Sequence, residues 1–163
     1  MSPTRTHSPE ETERLGEALA PALRTGDVVL LEGPLGAGKT CFVTGLARGL
    51  ACKARVRSPT FGLVHEYKGR VILAHLDLYR LDSAEAEGLG LEEIAERAAL
   101  VVEWGEKLPR RWRDDALKVS FSVSEFTSPS QRTVVAEAAG ERGSALLEAW
   151  RRSLAAGAAE SAA

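Results

Sequence analysis

Apolar and polar positions follow two different periods along the chain, one typical of helices and one typical of strands. Residues 27–32 and 99–104 are apolar almost throughout, as expected of strands buried on both faces of a sheet. Leucines recur every four residues within 9–24, which predicts a helix whose start is marked by Ser8 and Glu11. The chain is therefore expected to open with a helix and then enter a buried strand.

The remaining elements are predicted from the same two periods and from turn residues. Helices are expected over 39–50, 83–97 (interrupted near Gly88 and Gly90) and 142–155. Strands are expected over 54–57, 61–67, 70–76, 117–124 and 133–138. Helices that alternate with strands in this way predict an α/β fold with a mixed, largely parallel sheet flanked by helices.

Length and composition indicate how many domains the chain forms and in which compartment it is expected to lie. A chain of 163 residues with no linker-like stretch is expected to form a single domain over 1–155, followed by a disordered alanine-rich tail over 156–163. The net charge of -2 argues against a broad nucleic-acid-binding surface. Cys41 and Cys52 lack the paired spacing of a zinc site or disulfide framework, and no segment resembles a membrane helix or a signal peptide. A cytoplasmic location is expected.

The first apolar strand runs into GPLGAGKT, residues 33–40, which fits the phosphate-loop pattern G-x-x-x-x-G-K-[ST] without a mismatch. Its glycines allow backbone N–H groups to point at anionic oxygens, and the helix that follows adds its N-terminal dipole. Lys39, expected to be an exposed loop charge, suits the outer phosphates, and the Thr40 hydroxyl suits magnesium. The pattern predicts a P-loop NTPase-like fold that binds ATP and Mg²⁺. The predicted nucleotide-binding residues are Gly33, Leu35, Gly36, Ala37, Gly38, Lys39, Thr40 and Cys41.

Two carboxylates follow apolar strands, where ligands bind in open α/β sheets. Glu103 ends the strand over 99–104 and could hold magnesium or polarise the attacking water; the alternative is an ordinary exposed carboxylate. Asp77 competes for the same role or shares it, unless it only forms a turn or caps a helix. His75 is expected to be a structural histidine with satisfied hydrogen bonds. Trp104 is expected either to fill the core or to cover the site beside Glu103.

The stretch RSPTFG places Thr60 in a loop that follows the helix of the phosphate loop. A loop threonine that meets magnesium or the γ-phosphate is one way in which a switch segment senses the nucleotide. The alternative is that Ser-Pro-Thr forms an ordinary turn. Thr60 is therefore the candidate switch residue.

Four motifs in this order, GPLGAGKT, SPTF, HLDLYRL and VEWGEKL, resemble the TsaE family (formerly YjeE), the small bacterial P-loop ATPases of tRNA threonylcarbamoyladenosine synthesis. The resemblance covers about residues 28–107. It implies that Lys39 and Thr40 hold phosphate and magnesium. It places Thr60 and Asp77 on the switch side and Glu103 with Trp104 on the catalytic side. Cys41 departs from the family pattern, which often has a second threonine there, so nucleotide affinity is expected to differ.

The same resemblance implies two protein partners, TsaB and TsaD. TsaD transfers the threonylcarbamoyl group to an adenosine beside the tRNA anticodon, and the ATPase binds the TsaD–TsaB complex and lets it turn over repeatedly. The chain would then meet tRNA only through that complex.

Other functions remain open from the residues alone. A small-molecule kinase would need an arginine-bearing lid, for which Arg110, Arg111 and Arg113 are the candidates. A GTPase would need N-K-x-D, which a chain without asparagine lacks. A nucleotide-dependent scaffold is the third alternative.

Overall fold

The computed structural model describes residues 2–59, 63–123 and 130–162. Its strands are β1 (Thr4–Thr6), β2 (Val28–Glu32), β3 (Val64–Tyr67), β4 (Leu73–Asp77), β5 (Ala99–Glu103), β6 (Leu117–Val123) and β7 (Arg132–Ala138). Its α-helices are α1 (Pro9–Leu19), α2 (Lys39–Gly49), α3 (Ser83–Glu87), α4 (Leu91–Ala95), α5 (Arg110–Arg113) and α6 (Gly140–Ala162). Short 3-10 turns lie at Ala20–Ala22 and Gly105–Lys107.

The strands form one mixed sheet in the order β1-β7-β6-β2-β5-β4-β3. Strands β6, β2, β5 and β4 run parallel to their neighbours within this group, whereas β1, β7 and β3 pair antiparallel. The predicted α/β fold is therefore confirmed. Because β5 lies between β2 and β4, the carboxyl ends of these three strands meet at one edge of the sheet.

Helices cover both faces of the sheet and create two apolar cores. On one face α1, α2 and α6 pack against the sheet, and Phe42 makes edge-to-face contacts with both Phe121 and Trp150. The indole N–H of Trp150 donates to the carbonyl of Leu15, which ties α6 to α1. On the other face α3 and α4 pack over the central strands. In the part of the chain that the structure describes, no helix has the length and apolar character to cross a membrane.

Two strand predictions differ from the structure. The strand expected over 54–57 is absent, because the backbone N–H and carbonyl of Arg57 bond the Tyr67 hydroxyl instead of a neighbouring strand. Strand β1 was not predicted, because it is short and polar and exists through its pairing with β7 rather than through any periodicity. Of the strand expected over 61–67, residues 61 and 62 lie outside the described residues.

Two helix boundaries also differ. The helix expected over 9–24 ends at Leu19 and continues as a 3-10 turn. The interruption expected near Gly88 and Gly90 is confirmed, because the 83–97 segment divides into α3 and α4 at Gly90, whose φ is +67°. Helix α6 continues to Ala162, through residues expected to form a disordered tail. Alanine has the highest helix propensity of the residues, which accounts for this extension.

Glycines bring α1 and α2 into close contact, and α2 begins at Lys39 of the phosphate loop. A Cβ added at Gly45 would lie 1.7 Å from the carbonyl oxygen of Glu13, and one at Gly16 would lie 2.1 Å from that of Phe42. Only residues without a side chain allow the two backbones to approach so closely. Helix α1 thereby fixes the position of the helix that carries Lys39 and Thr40.

We expect Gly45→Ala to destabilise the protein by about 3 kcal/mol, the upper end for overpacking, because backbone of α1 must move. Gly157→Ala is the matched control. It is also helical, but its added Cβ meets no atom within 4 Å, and it should be neutral or stabilise by up to about 1 kcal/mol. Chemical unfolding of both variants measures the difference. Equal stabilities would contradict the close helix contact.

Candidate nucleotide-binding site

The phosphate loop connects the end of β2 to the start of α2, as its sequence predicts. Gly33 has a φ of +141° and Gly38, which precedes the first residue of α2, has a φ of +104°. Both values disfavour residues with a Cβ. A cavity of about 230 Å³ lies over the loop. Its lining comprises Leu35, Gly36, Ala37, Gly38, Lys39, Thr40, Cys41, Ser58, Asp77 and Glu103. The fold therefore gathers both predicted carboxylates at the phosphate loop.

Lys39 is not the exposed charge expected from sequence, since only 4% of it is accessible. Its ammonium donates to the carbonyls of Gly33 and Pro34 and lies 4.5 Å from the centre of the Trp104 ring. Burial lowers the pKa of Lys39, and the nearby carboxylates of Glu103 and Asp77 oppose that shift. The lysine is thus held by backbone oxygens at the position where an anion would meet it.

Glu103 is a buried carboxylate, since only 4% of the residue is accessible. It is therefore not the ordinary exposed carboxylate that the sequence left as an alternative. Its Oε1 accepts hydrogen bonds from the Thr40 hydroxyl at 3.1 Å and from His75 Nε2 at 2.9 Å. Strand β5 therefore places the Glu103 carboxylate next to the first turn of α2. The contact places two oxygen atoms of the kind that magnesium prefers, one from the phosphate-loop threonine and one from the strand-end acid, next to each other.

Asp77 lies opposite Glu103 in the register of β4 and β5. Its Oδ1 accepts from the backbone N–H of Tyr79, and its Oδ2 accepts from the Ser58 hydroxyl at 3.3 Å. Asp77 therefore lines the cavity from the side of the 58–59 segment, while Glu103 lines it from the side of Thr40. Thr60, the candidate switch residue, lies outside the described residues.

Trp104 combines the two roles left open by its sequence. Its backbone is left-handed, with a φ of +60°, and its partly buried ring packs against the apolar core beneath the sheet. The same ring faces the Lys39 ammonium and lies 5.1 Å from the Tyr79 ring. Trp104 therefore forms one wall of the site beside Lys39.

Lys107 is a further residue at the site that the sequence did not single out. Its ammonium donates to the backbone carbonyls of Leu78, Tyr79 and Leu81. This one side chain holds the segment that follows Asp77. Nothing in the sequence around Lys107, three positions after Trp104, indicates that it would bind these carbonyls.

A second cavity, of about 250 Å³, flanks the phosphate loop on its other side, between α1 and the start of β7. Arg132 donates to the carbonyl of Gly36 at 3.2 Å, and Thr12 and Cys41 line the same space. Burial raises the pKa of the Cys41 thiol. Sequence reasoning missed Arg132 because 96 positions separate it from Gly36.

The donor atoms at the loop suit magnesium better than a metal that needs an all-protein cage. Within the described residues there is no group of three or more His, Cys, Asp or Glu side chains that could hold a metal ion. Magnesium commonly takes one or two protein oxygens and completes its shell with water and phosphate. Thr40 and Glu103 fit that requirement.

Comparisons with known proteins agree with the four sequence motifs. The family model for the threonylcarbamoyl adenosine biosynthesis protein TsaE matches residues 6–134. The tRNA threonylcarbamoyladenosine biosynthesis protein TsaE of Treponema pallidum is 40% identical over 120 residues, covering 72% of this chain and 89% of that protein. The protein of the same name from Bacillus subtilis is 37% identical over 150 residues, covering 91% and 92%.

A solved structure extends the similarity to the fold. The crystal structure of YdiB from Bacillus subtilis superposes with a TM-score of 0.75 at 33% identity and covers 92% of this chain and 93% of that one. Both sequence relatives and this structure match most of the chain. The family model spans the phosphate loop and both strand-end acids.

Proposed function

The chain belongs to the TsaE family, and from that membership we propose that it is a magnesium-dependent ATPase supporting the formation of threonylcarbamoyladenosine in tRNA. The observation that carries the ATPase part is the contact between Thr40 and Glu103 inside the phosphate-loop cavity. It joins a residue that can hold magnesium to a buried acid that can act on the nucleotide. The pathway part rests on the names of the relatives.

In this proposal the phosphates of ATP lie on the backbone N–H groups of the loop and at the start of α2. Lys39 exchanges the carbonyls of Gly33 and Pro34 for phosphate oxygens. The nucleoside extends toward the second cavity, where Thr12, Cys41 and Arg132 line the space. The charge of Lys39 and the loop dipoles together favour a polyphosphate over a neutral ligand.

Thr40 and Glu103 would hold magnesium, which when bound neutralises charge on the phosphates. The two donors on Glu103 Oε1 leave Oε2 without a hydrogen bond to any described residue, so that oxygen is free to orient water. Asp77 would act from the opposite side, next to Ser58 and the segment that leads to Thr60. This division gives Glu103 the metal side and Asp77 the switch side.

The partners in this proposal are TsaD and TsaB. ATP binding and hydrolysis would alternate two states of the chain that bind the TsaD–TsaB complex with different affinities, which is what hydrolysis needs in order to drive a cycle. The chain would contact tRNA only through that complex.

The kinase alternative loses its main support. Arg111 pairs with Glu87 and Glu92, and Arg110 pairs with Asp114. Neither arginine, nor Arg113, lines the two cavities that flank the phosphate loop. The three arginines that the sequence offered as a lid over ATP therefore do not reach the site. A scaffold that binds ATP without hydrolysing it is separated from the proposal by experiment.

The direct test measures ATP hydrolysis by the purified protein with and without Mg²⁺, and again after addition of its own TsaD and TsaB. We expect hydrolysis that requires Mg²⁺ and rises when the partners are present. A protein that binds ATP but hydrolyses none, even with both partners, would be a scaffold and would contradict the ATPase assignment.

Thr60→Ala tests the switch. If Thr60 senses the γ-phosphate, the variant should keep its ADP affinity and lose ATP-dependent stimulation of threonylcarbamoylation by TsaD and TsaB. ADP affinity measured in the same preparation is the internal control for folding. A variant that supports repeated turnovers at the normal rate would remove Thr60 from the switch role.

A further inference from the structure

We infer that His75 is a positioning residue that fixes the orientation of Glu103 for magnesium. The inference rests on the proposed nucleotide function and extends it to a residue on the neighbouring strand. Its evidence is the burial of His75, its single hydrogen bond, and the identity of the atom that receives that bond.

His75 lies on β4 between apolar neighbours and is fully buried. Its Nε2 lies 2.9 Å from Glu103 Oε1. A carboxylate accepts hydrogen bonds and does not donate them, so Nε2 must carry the hydrogen. The ring of Tyr67 lies beside the imidazole, with 6.4 Å between the ring centroids and a tilt of 34° between the planes.

The other ring nitrogen, Nδ1, is buried and has no hydrogen-bond partner in the part of the chain that the structure describes. This result overturns the expectation of a satisfied structural histidine. A buried polar atom without a partner destabilises a fold, and an apolar residue at this position, like the neighbouring Leu73 and Leu76, would avoid that loss. Apolar packing therefore does not account for His75, whereas its bond to Glu103 does.

The consequence for Glu103 is geometric. Thr40 and His75 both donate to Oε1, from α2 on one side and from β4 on the other. Two donors on one oxygen fix the plane of the carboxylate and direct Oε2 away from them. Partners of this kind behind a metal-binding group typically change metal affinity or activity by about 10–100-fold when they are removed.

The experiment measures ATP affinity across a range of Mg²⁺ concentrations, and in excess chelator, for the wild-type protein and three variants. His75→Leu removes the hydrogen-bond donor and puts an apolar side chain of similar size in its place. His75→Gln places an amide N–H near the position of Nε2 and should restore the bond. His65→Leu is the matched control, because His65 faces His75 in the register of β3 and β4 but has its Nδ1 near the Tyr67 hydroxyl instead.

For His75→Leu we expect the Mg²⁺ concentration at half-effect to rise by about 10-fold or more, with affinity in chelator unchanged. His75→Gln should recover most of the loss, and His65→Leu should match the wild type. A raised Mg²⁺ requirement at unchanged affinity in chelator is a result that a merely structural role would not produce.

The outcomes distinguish this inference from the proposed function. If the wild type shows Mg²⁺-dependent ATP binding and His75→Leu shows the same dependence, the positioning role is wrong and the proposed function stands. If His75→Leu unfolds and His75→Gln does not restore Mg²⁺ dependence, the ring is structural and the inference is overturned. If the wild type binds no nucleotide, both are overturned.

Discussion

Lys39→Ala is expected to lower ATP affinity by about 10- to 100-fold while the protein stays folded. The ammonium is the one side-chain cation lining the loop cavity among the described residues, and a hydrogen bond to a charged group is worth about 1.5–3 kcal/mol. Its loss should be felt most by the outer phosphates, where the charge of ATP is concentrated. Titration with ATP and with a nucleoside that lacks phosphates measures the difference.

The burial of Lys39 makes the folding control essential. Alanine removes a desolvated charge, which favours stability, and frees the carbonyls of Gly33 and Pro34, which water can reach because neither residue is buried. Lys39→Met keeps the apolar stem beside Trp104 and should bind ATP as weakly as Lys39→Ala. Lys68→Ala removes an exposed lysine from the β3–β4 turn and should bind like the wild type. Wild-type ATP affinity in both Lys39 variants would refute the assignment of the loop.

At saturating Mg²⁺, Glu103→Gln is expected to keep ATP binding and to lower the single-turnover rate of hydrolysis by about 100-fold or more. The amide oxygen can still accept from Thr40 and His75, so the geometry of the site survives. The negative charge beside magnesium is lost, and an N–H replaces the oxygen that would orient water. Glu106→Gln, the same change in an exposed residue three positions later, is the control.

The same measurement separates the two acids. An undiminished rate in Glu103→Gln, together with a lost rate in Asp77→Asn, would transfer the catalytic role to Asp77. A Glu103→Gln protein that neither binds ATP nor folds would instead identify Glu103 as a structural acid.

The parts of the site that were predictable are those whose signal lies within a single short segment of the sequence. The phosphate loop follows an apolar strand and precedes a helix, and Glu103 and Asp77 each end an apolar strand. A parallel sheet brings such strand ends together, so their meeting at one edge could be expected before the structure. The four motifs also sufficed to identify the family.

The parts that were not predictable depend on contacts between distant segments. His75 reaches Glu103 across 28 positions of the chain and Arg132 reaches Gly36 across 96, and neither contact leaves a periodic signal. The burial of Lys39 likewise depends on the Trp104 ring and on how the loop folds back. The alternation of arginine and apolar residues over 54–57 resembled a strand, but the Tyr67 hydroxyl takes the backbone bonds of Arg57.

The central claim is that this chain uses ATP to let a threonylcarbamoyl transferase act repeatedly. It is tested most directly by measuring tRNA threonylcarbamoylation by the cognate TsaD and TsaB, with tRNA in excess, in the presence and absence of this protein and ATP. The account predicts many turnovers per complex only when the protein and hydrolysable ATP are both present, and few or none with Glu103→Gln. Turnover that is unchanged by the wild-type protein would contradict it.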